Sequence, residues 1–455
     1  MLTTSARRRG AAATALLGVL LVGTAAGSAH ADTTRSQQWF LDAMQAENMW
    51  RTSTGEGITV ALIDTGVDDS NPDLKGRILP GKDLAPAESG DETTDWDGHG
   101  TGMAGLIVGT GAYGGGNGAY GLAPGAKVLP IRLPDTQKSG SRFEADAKFE
   151  DAVSTAIRYA ADHGARIINV SQGITGDADD FPKFTSAVDY ALQHGALIFA
   201  AAGNDGDEGN KVGFPAATPG VVAVGAIGRD LHRAEFSTHG PQVDVAAPGV
   251  DMVHACGGKT GLCKTEGTSD AAALASASAA LIWSMHPDWT NNQVLRVMRN
   301  TIGGPIDGTE RNDSIGYGIV RPRVALKTPG DPGPAAKYPL PDYPAAATPP
   351  ADASKGARAE STAGAKPAAS PDSTDSGSNS LLWIGTGAGV VVVLGVVVAI
   401  AVKNRRRDTA SPARPVGGPY SYSEQSPYAG QQSYPAVPQQ QPYDAQQTGH
   451  DSKQP

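Results

Sequence analysis

The chain has 455 residues, with 37 basic and 47 acidic side chains and a formal net charge of −10. That balance argues against nucleic acid as a partner, because a polyanion would be repelled. The two cysteines belong to no Cys/His cluster with metal-ligand spacing, so neither a metal nor another cofactor is expected.

In chain order, Met1 to Ala31 reads as a secretory signal. Arg7-Arg8-Arg9 leads into an apolar core from Ala11 to Val22, and Ala29-His30-Ala31 offers a cleavage site after Ala31. A true membrane anchor is the competing reading, disfavoured by the short core. Gln38 to Met44 shows helical spacing of apolar side chains, so little room for a folding propeptide is expected before the body. Thr59-Val60-Ala61-Leu62-Ile63-Asp64 reads as a buried strand that ends in an acid and a glycine turn. A carboxylate there lies where open α/β sheets place their sites, although Asp64 alone could be a turn acid. In Asp95-Trp96-Asp97-Gly98-His99-Gly100-Thr101-Gly102 a histidine stands among small residues at the head of a helix expected over 101–108. The glycines would let the imidazole be approached from both sides; His99 alone could equally be a cap or a core histidine.

Strands are expected at 127–132, 166–171, 196–201, 221–225 and 243–249, with amphipathic helices at 149–163 and 184–194. That alternation predicts an α/β fold, a mainly parallel sheet with helices on both faces. Thr290 is the expected N-cap of a helix running to Val297. Cys256 and Cys263, an even pair in an exported chain, read as a disulfide, with two free thiols as the alternative. Glu266-Gly267-Thr268-Ser269-Asp270 opens an Ala-rich run with strong helix propensity. A serine there has free backbone N–H groups and a positive helix end beside it, though a plain capping serine would look the same.

Together these stretches give the order Asp64, His99, Ser269, one of the orders in which serine-hydrolase triads occur. Ile63-Asp64-Thr65-Gly66, Gly98-His99-Gly100-Thr101 and Gly267-Thr268-Ser269 resemble the three signatures of subtilisin-type serine proteases, the subtilases. Ala200-Ala201-Ala202-Gly203-Asn204 is similar to the strand end where that family keeps an oxyanion-hole asparagine. The resemblance spans about residues 38–326 and implies a subtilisin-like fold with serine endopeptidase activity. It implies Asp64, His99 and Ser269 as the triad and Asn204 as an oxyanion donor. It further implies that Ser171, Gln172, Gly173, Ala201 and Gly203 bind an extended substrate, and an ordinary strand-to-loop exit is the alternative for Ser171 to Gly173. Two departures stand out. Ala273 and Ala277 replace a proline and a glycine of the family's nucleophile helix, and Gly102 stands where relatives often carry a second histidine. Asp270 is expected to point away from the nucleophile. The acidic stretches 88–97 and 177–180 read as solvated loops, with calcium binding as the lesser alternative.

The expected catalytic domain is 32–328. Residues 329–380 are rich in Pro, Ala, Ser and Thr and read as a disordered linker. Leu381 to Val402 is an uncharged, mainly apolar run that reads as a transmembrane helix. Lys403-Asn404-Arg405-Arg406-Arg407 follows it as a positive-inside flank, so 403–455 is the expected cytoplasmic tail and the body lies outside the cell. The absence of a propeptide together with a C-terminal anchor resembles the mycosins of type VII secretion systems. Protein or peptide substrates at the cell surface, the membrane and secretion-system components are therefore the expected partners. A subtilase fold with dead chemistry, serving assembly, is the competing class, and serine hydrolysis of another bond type a further one.

Overall fold

A computed structural model describes residues 33–257 and 261–343. The signal, transmembrane and tail expectations, and the linker beyond 343, lie outside the described residues. Among the described residues no helix is long and apolar enough to cross a membrane.

Seven strands form the central sheet in the order β2-β3-β1-β4-β6-β8-β9. They are β1 (Thr59–Asp64), β2 (Lys82–Asp83), β3 (Lys127–Arg132), β4 (Ile167–Val170), β6 (Leu197–Ala201), β8 (Val222–Ile227) and β9 (Val245–Pro248), and every pairing is parallel. Two small antiparallel pairs stand apart: β5 (Ile174–Thr175) with β7 (Gly213–Phe214), and β10 (Met252–Ala255) with β11 (Leu262–Thr265). A parallel sheet covered on both faces needs strands apolar on both sides. Hence β1 sends Val60 and Leu62 into one core and Ala61 and Ile63 into the other.

Helices α2 (Arg142–Asp162) and α3 (Pro182–Gln193) cover one face, burying Phe149, Val153, Phe184 and Val188. On the other face lie α1 (His99–Val108), α4 (Thr268–Met285), α5 (Asn291–Asn300) and α6 (Pro322–Lys327). Helix α4 is buried along nearly its whole length because it runs through the core, and Ala273 and Ala277 are fully buried within it. Neither residue interrupts the helix. Thr290 caps α5 as expected, in a capping box with Gln293. Three short helical turns precede β1 (Thr34–Gln37, Trp39–Met44 and Ala46–Trp50). There the fully buried Gln38 donates to the Tyr120 and Val253 carbonyls and accepts from the Tyr120 N–H.

The packed body does not stop at 328. Tyr338, Leu340 and Tyr343 are buried, the Tyr338 hydroxyl donates to the Gly220 carbonyl at 2.9 Å, and that of Tyr343 donates to Asp189 at 2.8 Å. These three large side chains pack a stretch whose Pro/Ala background reads as linker.

Candidate active site

Sheet order places β1, β4 and β6 side by side, and their carboxyl ends carry Asp64, Ser171 to Gly173, and Ala201 to Asn204. His99 opens α1, and Ser269 is the second residue of α4. Two helix starts thus meet three strand ends.

Asp64 is 1% exposed, and its Oδ1 accepts from the Thr65 N–H at 2.8 Å and lies 2.7 Å from His99 Nδ1. A carboxylate can only accept, so Nδ1 carries the hydrogen and Nε2 of the neutral ring is left with its lone pair. Burial opposes a charged imidazole. The Asp64 charge and hydrogen bond outweigh it and push His99 up to about 9.

The glycines beside His99 also shape the backbone. Gly98 takes a left-handed φ of 89° that starts α1 abruptly, and Gly100 permits a close approach: a Cβ there would lie 2.1 Å from the Gly66 carbonyl oxygen. They press the histidine helix onto the end of β1. Asp95 holds the same helix start, accepting from the Gly98 N–H at 2.8 Å, the Thr101 N–H at 2.7 Å and the Thr65 hydroxyl at 2.7 Å. Asp95 falls in the acidic loop 88–97, three residues ahead of the N-cap Gly98, so it does not stand at the position where a capping acid is expected. At 177–180, Asp177 and Asp180 form a capping box around a short 3-10 turn.

Ser269 is 7% exposed. The Asn204 amide oxygen accepts from both the N–H and the hydroxyl of Thr268, each at 2.9 Å, and the Thr268 hydroxyl accepts from the Gly203 N–H at 3.1 Å. With its oxygen so committed, Asn204 turns its NH2 toward the Gly267–Ser269 turn. A Cβ on Gly267 would lie 2.8 Å from Ser269 Oγ and 3.6 Å from Asn204 Nδ2. The glycine therefore leaves open the space that the serine and the amide share. A helix start leaves its first N–H groups without intrahelical acceptors, and that of Thr268 is taken up by Asn204.

The remaining expected residues divide. Gly173 is exposed, and Ala201 and Gly203 are half-buried along the edge. Ser171 is buried, and its hydroxyl accepts from Asn169 at 2.6 Å. Gln172 faces the histidine: Nε2 donates to Asp64 Oδ1 at 3.3 Å and lies 3.2 Å from His99 Nδ1. Cys256 and Cys263 form the disulfide. It closes the β10–β11 hairpin just upstream of α4. Asp270 is buried, with Oδ1 2.6 Å from the Thr265 hydroxyl and Oδ2 3.2 Å from where a Cβ on Gly267 would lie. Gly102 leaves room for His254, which sequence reasoning did not single out.

Residues 55–318 match the subtilase family, peptidase family S8. An intracellular serine protease of Paenibacillus polymyxa is 36% identical over 248 residues, covering 53% of this chain and 71% of that protein. The chain spans 61% of the length of subtilisin E of Bacillus subtilis, which it also matches. Among solved structures, MycP1 from Mycobacterium smegmatis superposes with a TM-score of 0.58 at 28% identity, covering 68% of this chain and 88% of that one. The MycP3 protease from the type VII (ESX-3) secretion system superposes at 0.56 with 34% identity, covering 63% and 87%.

Proposed function

The chain belongs to the subtilase family of serine peptidases, and from that premise we propose that it is a membrane-anchored endopeptidase which cleaves exported proteins outside the cell. The observation that carries the reading is the 2.7 Å pairing of His99 with buried Asp64 on the sheet edge where Ser269 and Asn204 share one open turn.

In this reading Ser269 Oγ attacks the scissile carbonyl carbon while His99 Nε2 takes its proton. Asp64 holds the tautomer that leaves Nε2 free and offsets the imidazolium charge. Asn204 Nδ2 and the Ser269 N–H donate to the carbonyl oxygen as it becomes an oxyanion. His99 then returns the proton to the leaving amine. Water, activated by the same histidine, releases the acyl group from Ser269. The substrate lies extended along Ser171 to Gly173, where main-chain hydrogen bonds recognise a strand rather than a sequence.

The anchoring half of the proposal rests on the sequence: the signal at Met1 to Ala31, the uncharged run Leu381 to Val402 and the basic flank after it. Likeness to MycP1 and MycP3 supports a place beside a secretion apparatus. The test incubates the chain, in its own membranes, with an unfolded exported protein and maps new termini by mass spectrometry. Internal cuts made by the unaltered chain and absent with Ser269→Ala are expected. Cuts that persist in Ser269→Ala, or a chain released from the membrane by carbonate washing, would contradict the corresponding half.

A further inference from the structure

Among the described residues there is a second buried histidine–carboxylate pair, and it adjoins the nucleophile. Asp270 follows Ser269 in the first turn of α4 and is 1% exposed; its Oδ1 lies 2.6 Å from the Thr265 hydroxyl. Thr265 Oγ1 is in turn 2.7 Å from Nε2 of His254, itself 1% exposed, and His254 Nδ1 is 2.9 Å from the Ala255 carbonyl oxygen. A carbonyl oxygen only accepts, so Nδ1 carries a hydrogen and Nε2 is the nitrogen whose state can change.

Thr265 has one hydroxyl hydrogen. It can donate to an ionised Asp270 while accepting from an imidazolium, or donate to a neutral His254 while accepting from a protonated Asp270. Both arrangements satisfy every atom in the chain and hold the same number of protons. Passing between them moves one proton from nitrogen to oxygen by way of the hydroxyl. Burial pushes Asp270 up and His254 down, which favours the arrangement with both neutral.

The surroundings are built for this pair. A Cβ on Gly102 of α1 would lie 2.6 Å from His254 Cε1, so glycine there makes the cavity that the imidazole fills. His254 and Thr265 sit on paired strands, and the Cys256–Cys263 disulfide closes their hairpin two residues beyond each of them. Ser269 begins only four residues after Thr265.

We propose that His254, Thr265 and Asp270 are positioning residues, a buried relay sharing one proton that fixes the first turn of α4 and with it the attack geometry of Ser269. The proposal rests on Ser269 being the nucleophile. The relay itself can be read without any activity.

The test uses the full chain with 15N-labelled histidine, and the reaction of Ser269 with a fluorophosphonate probe. In the unaltered chain His254 should show a single Nδ1–H tautomer with a hydrogen-bonded Nε2. Thr265→Val should abolish the Nε2 signature and slow the saturating labelling rate about tenfold while leaving the probe's apparent affinity unchanged. Thr265→Ser should restore both. Asp270→Asn, which keeps the shape and removes the shared proton, should move the His254 signature and slow labelling several-fold, and it carries the test if Thr265→Val does not fold. An unchanged His254 signature, or unaltered labelling once the signature is lost, would overturn the proposal. Absence of labelling in the unaltered chain would instead refute the protease reading, and the His254 spectrum would then decide the relay alone.

Discussion

His99 carries the sharpest single-residue consequence. In the proposed mechanism its attack-competent form is the neutral ring, and the Asp64 charge holds the ring protonated up to about 9. The account therefore predicts that kcat/KM rises about tenfold per pH unit through neutrality and levels off above about 9. Asp64→Asn removes the cause, so the residual activity should reach its plateau at lower pH; an unshifted profile would show that another group controls the ring. Asn204→Ala should lower kcat on the order of 10²–10³ with little change in KM, the range known for one oxyanion donor and one that itself comes from a subtilisin. Asp64, His99, Ser269 and Asn204 could be picked out from sequence because each ends a strand or opens a helix beside glycine. Asp95, Thr265 and His254 could not. Their roles depend on a helix start and a hairpin brought together from distant parts of the chain, and nothing local marks a threonine or histidine on an edge strand.

At the scale of elements, the site depends on two helix starts held close to strand ends by missing side chains. Gly267→Ala tests this directly: its φ of 168° suits any residue, so the backbone is not strained, yet the added methyl would sit 2.8 Å from Ser269 Oγ. Labelling of Ser269 should fall at least a hundredfold while the melting temperature stays within a few degrees; normal labelling would mean that the turn has slack. Buried parallel strands were read to within a few residues, since their apolar runs stand out from the loops. The helix expected over 149–163 instead spans Arg142–Asp162. Its first turns are polar and solvent-facing, with Phe143 84% exposed, so they carry no apolar stripe to read. What starts them is Ser141, whose hydroxyl accepts from the Glu144 N–H at 3.2 Å.

For the whole molecule, activity and stability should move in opposite directions with pH. His99 is raised from an ordinary 6.5 to about 9, so its contribution to stability is complete below 6.5 and is lost as pH climbs through 9. Asp244, buried and close enough to Asp342 to feel its charge, is raised from 3.8 to about 8, first by burial and then by the Asp342 charge. Its folded form keeps a proton that the unfolded chain has already released, so this contribution also declines between pH 4 and 8. Asp244→Asn should accordingly raise the melting temperature at pH 9 and leave it nearly unchanged at pH 4; equal effects at both would show that the carboxyl is not neutral in the fold. In the 338–343 segment three buried side chains decide packing against a background that reads as spacer.

The central claim is that Ser269 is a nucleophile armed by His99. The most direct measurement is covalent labelling of the chain by a fluorophosphonate, with the modified peptide identified by mass spectrometry. The account predicts one adduct, on Ser269, abolished by Ser269→Ala and by His99→Ala. A folded chain that takes no label, or takes it equally after His99→Ala, would contradict it.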